Sequence, residues 1–460
     1  MNQDKQSLPI WQNSIGNLME KMSKAPLMDK VVALCKRRGF VFPGSDIYGG
    51  LSNSWDYGPV GVELKNNIKQ LWWKRFVNSR DDIVGIDASL IMNPKVWEAS
   101  GHLENFSDPL VECKICHSRF RADQEDLISQ HAATHEDKAE WTDPKQFNLM
   151  FKTFIGPAEE QANTAYFRPE TAQAMFVNFK NVLDSTRVKF PFGIAQTGKA
   201  FRNEITPGNF IFRTREFEQM EIEYFFAPPK EEKDWQDVFE AWRKEMVSWM
   251  ESDLGLDMTR VTEYEVPDKD RAHYSKRTID FMYAFPFGES ELYGLAYRTD
   301  FDLKNHQEFS GQNLKYRDPQ TNEEFWPHVV EPTWGVDRSV LAVLLDSYRE
   351  EEGRVFLKLK PSIAPYKAAI FPLLHNKPEL IDKAGEIYKV LKKDYAVAWD
   401  DRGNIGKRYA SQDEIGTSYC ITVDFDTLKD DSVTVRDRDT AKQERVKISG
   451  LAEFLKKKVS

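Results

Sequence analysis

Arginines and carboxylates crowd one stretch of this 460-residue chain, and their spacing limits the chemistry they can do. FGIAQTGKAFRNEI reads as a strand closing on Arg202, Asn203 and Glu204, and ITPGNFIF follows with a Pro207-Gly208 turn signal. FRTREFEQMEIEYFF then returns as a second strand. Side chains on a strand alternate between faces, so Phe217, Gln219, Glu221 and Glu223 share one face, and Glu218, Met220, Ile222 and Tyr224 the other. A long hairpin sets Arg202 and Glu204 opposite this polar and aromatic row. Two readings fit: guanidinium groups meeting an anion while carboxylates meet an ammonium, or a solvent-facing ladder of ion pairs, which is common on sheets. Upstream, AYFRPETAQ places Pro169 to open a helix at its first turn, with Glu170 and Thr171 next. Downstream, EPTWGVDRSVLAVLLDSY reads as a strand, a glycine turn and an apolar helix with Arg338 in its first turn. SELYGLAYRTDFDL puts Glu291 on a short alternating strand.

A second cluster has metal-ligand chemistry. Cys113 and Cys116 are followed by His131 and His135, a C-x2-C-x14-H-x3-H spacing within the range of zinc sites. The intervening HSRFRADQEDLISQ lacks the apolar pattern of a self-standing finger, so reduced thiols and surface histidines stand as the competing reading. Cys35 and Cys420 sit in apolar helix and strand patterns and read as core. Four cysteines in the whole chain cannot form a disulfide framework, which fits a reducing compartment.

The elements that must position these groups follow from periodicity. MDKVVALCKRRGF is helical with a stop at Gly39, and GVELKNNIKQLWWKRFV (61–77) brings Leu64, Ile68, Leu71 and Trp72 to one helix face. DIVGIDASLIM is strand-like and stops at Pro94; a further amphipathic helix covers 236–250. Two prolines within 353–366 mark the main boundary, and beyond it strand-like and helical runs alternate as in an α/β unit. A hydrophobic share of 41% and a net charge of −10 exclude a disordered chain and one that coats DNA or RNA through overall charge. No apolar run approaches the ~18 residues of a membrane helix. The first 27 residues lack a signal-peptide core and read as a loosely docked extension, with the cytoplasm as the default compartment.

An Arg-x-Glu strand, a proline-glycine loop, a Phe-bearing return strand and a Gly-x-Asp-Arg helix are specific in combination. With them, the chain resembles class II aminoacyl-tRNA synthetases, and within these the dimeric glycyl type. FRNE with FRTREFEQME resembles that class's second motif, GVDR its third, and 60–94 its first, which builds the dimer interface. The segments NPKVWEASGH, FRPETAQ, YRTDFDL and SQDEIGTSYCITVDFDTLKDDSVTVRDRDT point to the glycyl type. The resemblance implies an α+β catalytic domain on an antiparallel sheet flanked by helices over 28–360. An inserted subdomain at about 111–162 and a C-terminal α/β anticodon-binding domain over 361–460 complete it.

The resemblance also implies roles. Glycine and ATP would give glycyl-adenylate and pyrophosphate, and glycine would then pass to tRNA(Gly). Arg202 would grip the α-phosphate and the glycine carboxylate. Arg338 would hold the γ-phosphate and lie over the adenine, with Phe217 on its other face. Asn203, Glu204, Phe212, Arg213, Thr214, Arg215 and Glu216 would complete the nucleotide site, with Leu292, Gly335, Val336 and Asp337. Glu291 would hold Mg²⁺, a hard cation that prefers oxygen ligands. Glu170 and Glu221 would take the glycine ammonium, Glu331 and Thr333 would complete the wall, and Arg121 is the matching basic residue upstream. Phe217, Glu218, Gln219, Met220, Pro332, Trp334 and Gly335 are the expected remainder of the glycine site. Thr333 stands where the family usually has Ser, so the hydroxyl survives while a methyl narrows the pocket. In the family the inserted region varies, and a metal there is not general. No side chain needs to be a nucleophile, and no stretch must be an editing domain, since nothing smaller than glycine competes. A binding-only relative would have lost Arg202, Glu204, Glu291 or Arg338, and all four are present. The cluster of carboxylates at 170, 221 and 331 and the glycine-type segments argue against a related synthetase for threonine, proline or serine. In the C-terminal unit, Lys407, Arg408 and Lys456–Lys458 are candidate phosphate contacts beside the plainer reading of a solvated face.

Overall fold

The computed structural model describes residues 26–136, 138–157, 163–351 and 353–459. The expected extension over 1–27 therefore lies outside the described residues, except for Pro26 and Leu27.

The chain first builds two helices that cover a sheet. Leu27–Arg38 buries Val31, Leu34 and Cys35 and ends at Gly39, whose φ of 73° is the left-handed stop that glycine allows. Pro59–Trp73 opens on its proline, buries Leu64, Ile68 and Trp72, and continues as a wider π turn over Lys74–Asn78. Under them lies a seven-stranded sheet. Its order is Val261–Glu265, Arg277–Phe285, Gly288–Thr299, His328–Gly335, Glu216–Phe226, Phe192–Phe201, Ile83–Gly85. Every pairing is antiparallel except the last, where Ile83–Gly85 runs parallel to Phe192–Phe201. The strand carrying Glu291 is therefore long, at 12 residues, rather than short. Met220, Ile222, Trp334 and Phe76 meet in the core on the side away from the cleft described below.

The insertion differs in extent from the expected 111–162. Its sheet already starts at Ser107–Glu112, pairs with Arg119–Arg121 and Lys145–Asn148, and is joined by the helix Glu125–Ala133. Lys152–Phe154 instead pairs with Thr164–Phe167, in another sheet with Ile91–Met92. The end of the expected insertion, 158–162, lies outside the described residues.

A second core lies in the C-terminal part. Ala368–Pro372 is flanked by parallel Val397–Trp399 and Tyr419–Val423; Ser432–Asp437 and Gln443–Lys447 continue antiparallel. The helix Ile405–Ile415 gave no apolar period because the side chains it buries include Arg408, Gln412 and Asp413. Polar bonds stitch this part to the rest: Asp413, which Arg436 also holds from within it, takes Arg354 at 3.1 Å, and Arg438 donates to the Leu359 carbonyl at 2.6 Å. Arg408 is 1% exposed and spends its guanidinium on the carbonyls of Pro372, Asp401, Arg402 and Gly403, so it is not a phosphate contact.

Gly61 shows how tightly the first helix pair closes. A Cβ there would run into the Phe40 backbone carbonyl. Alanine is favoured over glycine in a helix by about 1 kcal/mol. Overpacking costs about 1–3 kcal/mol, and a backbone obstacle cannot swing aside. Gly61→Ala is expected to lower the melting temperature; a rise would show that the helix is free to shift.

Candidate active site

The hairpin of Phe192–Phe201 and Glu216–Phe226 runs in register from Phe192↔Phe225 to Phe201↔Glu216. Arg202 lies one step past this ladder, still donating its backbone N–H to the Arg215 carbonyl, and Glu204 lies beyond it in the loop. The strand face carrying Phe217, Gln219, Glu221 and Glu223 meets the same face of Gly288–Thr299 and His328–Gly335, which pair alongside. Between these elements opens a cleft of about 310 Å³.

Two guanidinium groups flank the cleft on aromatic supports. Arg202 lies 5.3 Å from both the Phe106 and Phe217 rings and donates Nε to the Pro169 carbonyl at 3.0 Å. That bond uses the carbonyl before Glu170, and the expected helix opening at Pro169 does not occur: the helix starts at Ala172. Arg338 lies 4.6 Å over Phe212, a different ring from Phe217, and donates to the Glu291 carbonyl at 2.8 Å. Its Nη1 also stands 3.3 Å from the Glu291 carboxylate.

Carboxylates form the floor. Glu170 accepts from Gln173 and lies 3.2 Å from His102 Nε2. Glu221 accepts from Thr333 at 2.8 Å and from the Thr171 hydroxyl. Glu331 is held by Arg298 at 2.9 Å, and the same guanidinium holds Asp302 at 2.8 Å under the Tyr274 ring, 3.6 Å away. Oxygens of Glu221, Glu223 and Glu331 lie within 4.8 Å of one another.

Burial and mutual repulsion set the protonation of this floor. Burial raises Glu170, but His102 and Arg298 outweigh it and hold the carboxyl well below its usual range. Burial, and then the Glu170 charge, push Glu221 up. Burial and neighbouring carboxylates push Glu223 and Glu331 further up against the pull of Arg298. Of that pair, Glu223 has no hydrogen-bond partner on either oxygen among the described residues whereas Arg298 holds Glu331, so Glu223 is the better placed to keep its proton. Beside Arg338, burial and the Glu291 charge push Asp280 up to about 7. Burial raises Glu291, but Arg338, Arg202 and Arg213 together hold it below its usual range.

Most of the expected residues converge on the cleft. Arg202, Glu204, Phe212, Arg213, Thr214 and Phe217 line it, with Glu218, Gln219 and Glu221 along the same strand. Glu170, Glu291, Leu292, Glu331, Thr333, Gly335, Asp337 and Arg338 close it. Others do not reach it. Met220, Trp334 and Val336 are core, because strand alternation turns the first two inward. Pro332 pairs with Leu295, the Asn203 backbone N–H bonds Leu149, Arg215 bonds the Ser52 carbonyl, and Glu216 pairs with Lys199. Arg121 is spent on Asp108 at 3.0 Å and on Asp123 at 2.6 Å. Glu218 and Asp337 are both held by Lys65, at 2.7 and 3.1 Å. Sequence reasoning missed His102, Asp280, Arg298, Tyr274 and Lys65. His102 and Arg298 lie inside NPKVWEASGH and YRTDFDL, the segments that carried the resemblance, but residue type alone gave them no role.

Residues 151–348 match the family described as "tRNA synthetase class II core domain (G, H, P, S and T)", and 367–458 match "Anticodon binding domain". The fold is thus that of a class II tRNA synthetase. A glycine–tRNA ligase from Alkaliphilus oremlandii is 50% identical across 95% of this chain and 100% of its own length. Another from Clostridium kluyveri is 51% identical across 94% of this chain and 98% of its own, and one from Bacillus anthracis 50% across 94% and 99%. The chain belongs to the glycine–tRNA ligase family.

The protonation pattern separates two buried carboxyls by experiment. Glu223→Gln keeps shape and neutrality, so thermal stability should stay within about 0.5 kcal/mol of the parent. Glu331→Gln leaves Arg298 short of a counter-charge and should cost about 3 kcal/mol or more. Equal losses in the two variants would show that Glu223 is ionised.

Proposed function

We propose that this cleft joins glycine to ATP and that the chain then passes the glycyl group to tRNA. The observation that carries this reading is the pairing, in one cavity, of two aromatic-backed guanidinium groups with a floor of buried carboxylates. A triphosphate and a carboxylate nucleophile are both anionic, so their encounter requires fixed positive charge, and arginine keeps its charge whatever its surroundings. Arg202 faces the reacting α-phosphate and the glycine carboxylate. Arg338, stacked on Phe212, takes the γ-phosphate end. Glu204 Oε2 is buried without a partner among the described residues and is an acceptor for the adenine amino group. Opposite them, Glu170, Glu221 and Glu331 receive the ammonium. Thr333 orients Glu221 through its hydroxyl, and its methyl narrows the space beyond the glycine Cα. A larger amino acid then overpacks this wall.

The glycine carboxylate oxygen attacks the α-phosphorus and pyrophosphate departs. No side chain forms a covalent bond, and the protein contributes orientation and charge. The residues present fit Mg²⁺: Asp280 and Glu291 come from adjacent strands and both line the cleft, and a pair of carboxylates suits a hard cation. Burial, and after it the Glu291 charge, raise the proton affinity of Asp280. Mg²⁺ held there would neutralise phosphate oxygens.

The wider assignments are a catalytic unit over 28–360, an anticodon-reading unit over 361–460, a cytoplasmic location and a homodimer. Exposed Ile47, Tyr48 and Leu51, and the partly exposed Leu90 and Ile91 in the segment assigned to the interface, support the dimer. Sedimentation equilibrium is expected to give twice the chain mass; a monomer would refute this. Among the described residues no helix is long and apolar enough to cross a membrane.

ATP–pyrophosphate exchange should depend on glycine and on neither alanine nor serine. Arg202→Ala should lower it by about 100-fold or more with the fold intact. Near-parental exchange in that variant would show that the cleft activates nothing through Arg202.

A further inference from the structure

The inserted subdomain lacks a core of its own. Between 107 and 148, Val111 and Cys113 are the buried apolar residues among those described. A sheet of three short strands and one helix cannot hold together on so little burial, and small units of this kind normally need a staple.

The staple's ligands are assembled. The turn between Ser107–Glu112 and Arg119–Arg121 presents Cys113 and Cys116, and the Cys113 backbone is fixed by bonds to Ser118 and His117. His131 projects from Glu125–Ala133 and His135 from just beyond its end, one helical turn apart. One ligand atom from each of the four lies within 4.8 Å of all the others. Two ligands on a tetrahedral zinc stand about 3.5 Å apart, from bonds of about 2.3 Å to sulfur and 2.0 Å to nitrogen. Cys116 Sγ and His131 Nε2 are already 3.2 Å apart. Among the described residues the buried His135 Nε2 has no hydrogen-bond partner. A buried imidazole nitrogen without a partner is costly unless something else occupies its lone pair. Phe120 and Trp141 pack on the His131 ring at 4.8 and 5.6 Å and fix its orientation.

We propose that Cys113, Cys116, His131 and His135 bind one zinc ion that clamps the inserted hairpin to its helix. Two thiolates and two imidazoles in a closed tetrahedral set are a structural zinc site, with no open position for catalysis. The clamp stands at the edge of the active cleft without entering it. Gln124, just before the helix, accepts from the Thr206 hydroxyl at 2.9 Å, and Asn148 donates to the His102 carbonyl at 3.2 Å. The subdomain thereby touches the loop after Arg202 and the base of the floor.

The test is metal analysis of the full chain purified under reducing conditions without an affinity metal. About one zinc per chain is expected. Chelation followed by Co²⁺ should produce the visible absorption of a tetrahedral cobalt–thiolate centre, a readout that needs no variant. The exposed Cys116→Ser and the double variant His131→Ala/His135→Ala should each lose the metal. His117→Ala, whose ring is occupied by Glu112 at 2.8 Å, should keep it. Chelation should also expose the 107–148 segment to protease while the rest of the chain resists. Absence of metal after reconstitution with Zn²⁺, a Cys113–Cys116 disulfide in the reduced preparation, or full metal content in Cys116→Ser would each overturn the proposal.

Discussion

Arg298 is 1% exposed and cannot shed its charge, so the cleft must be built around neutralising it. Asp302 and Glu331 do this directly, and the Tyr274 ring covers the guanidinium face. A buried ion pair rarely improves stability over apolar packing, but removing one partner costs several kcal/mol because the other charge is stranded. The network therefore holds Glu331 in one place. Around it, Glu170 and Glu221 add negative charge that Arg298 and His102 do not fully balance, which is why burial and repulsion drive Glu221 upward. A cation small enough to enter relieves that imbalance, and an α-ammonium is such a cation.

The antiparallel sheet converts this imbalance into reactivity. Adjacent strands bring Glu221, Thr333 and Glu331 to one side while Met220 and Trp334 point into the core, so the floor's position is tied to the packing of the sheet. The guanidinium groups come from outside the ladder: Arg202 from just past its end, Arg338 from the first turn of the helix Val336–Ser347. Separate supports for cationic and anionic halves keep them from collapsing onto each other. Arg202 is retained by a carbonyl and two rings, and Arg338 by the Glu291 backbone and Phe212.

What the sequence made legible follows from local physics. Strand alternation separated Glu221 from Met220, and the periodic helices and the glycine stop at Gly39 came out close to their observed bounds. Arg298 was not legible, because its importance depends on Asp302 in the helix that follows its strand and on Glu331 from another strand. Asp280 was hidden for the same reason: its neighbour Glu291 is brought beside it by sheet pairing. Arg121 misled because a basic residue at the right distance in sequence is consumed locally by Asp108 and Asp123. The helix Ile405–Ile415 escaped because it buries the polar side chains Arg408, Gln412 and Asp413, of which Asp413 reaches across to Arg354.

The measurement that bears most directly on this picture is a crystal structure of the full chain with glycine, a non-hydrolysable ATP analogue and Mg²⁺. The ammonium is expected among Glu170, Glu221 and Glu331, and the phosphates between Arg202 and Arg338. An amino acid lodged away from the carboxylate floor, with those two arginines turned to solvent, would contradict it.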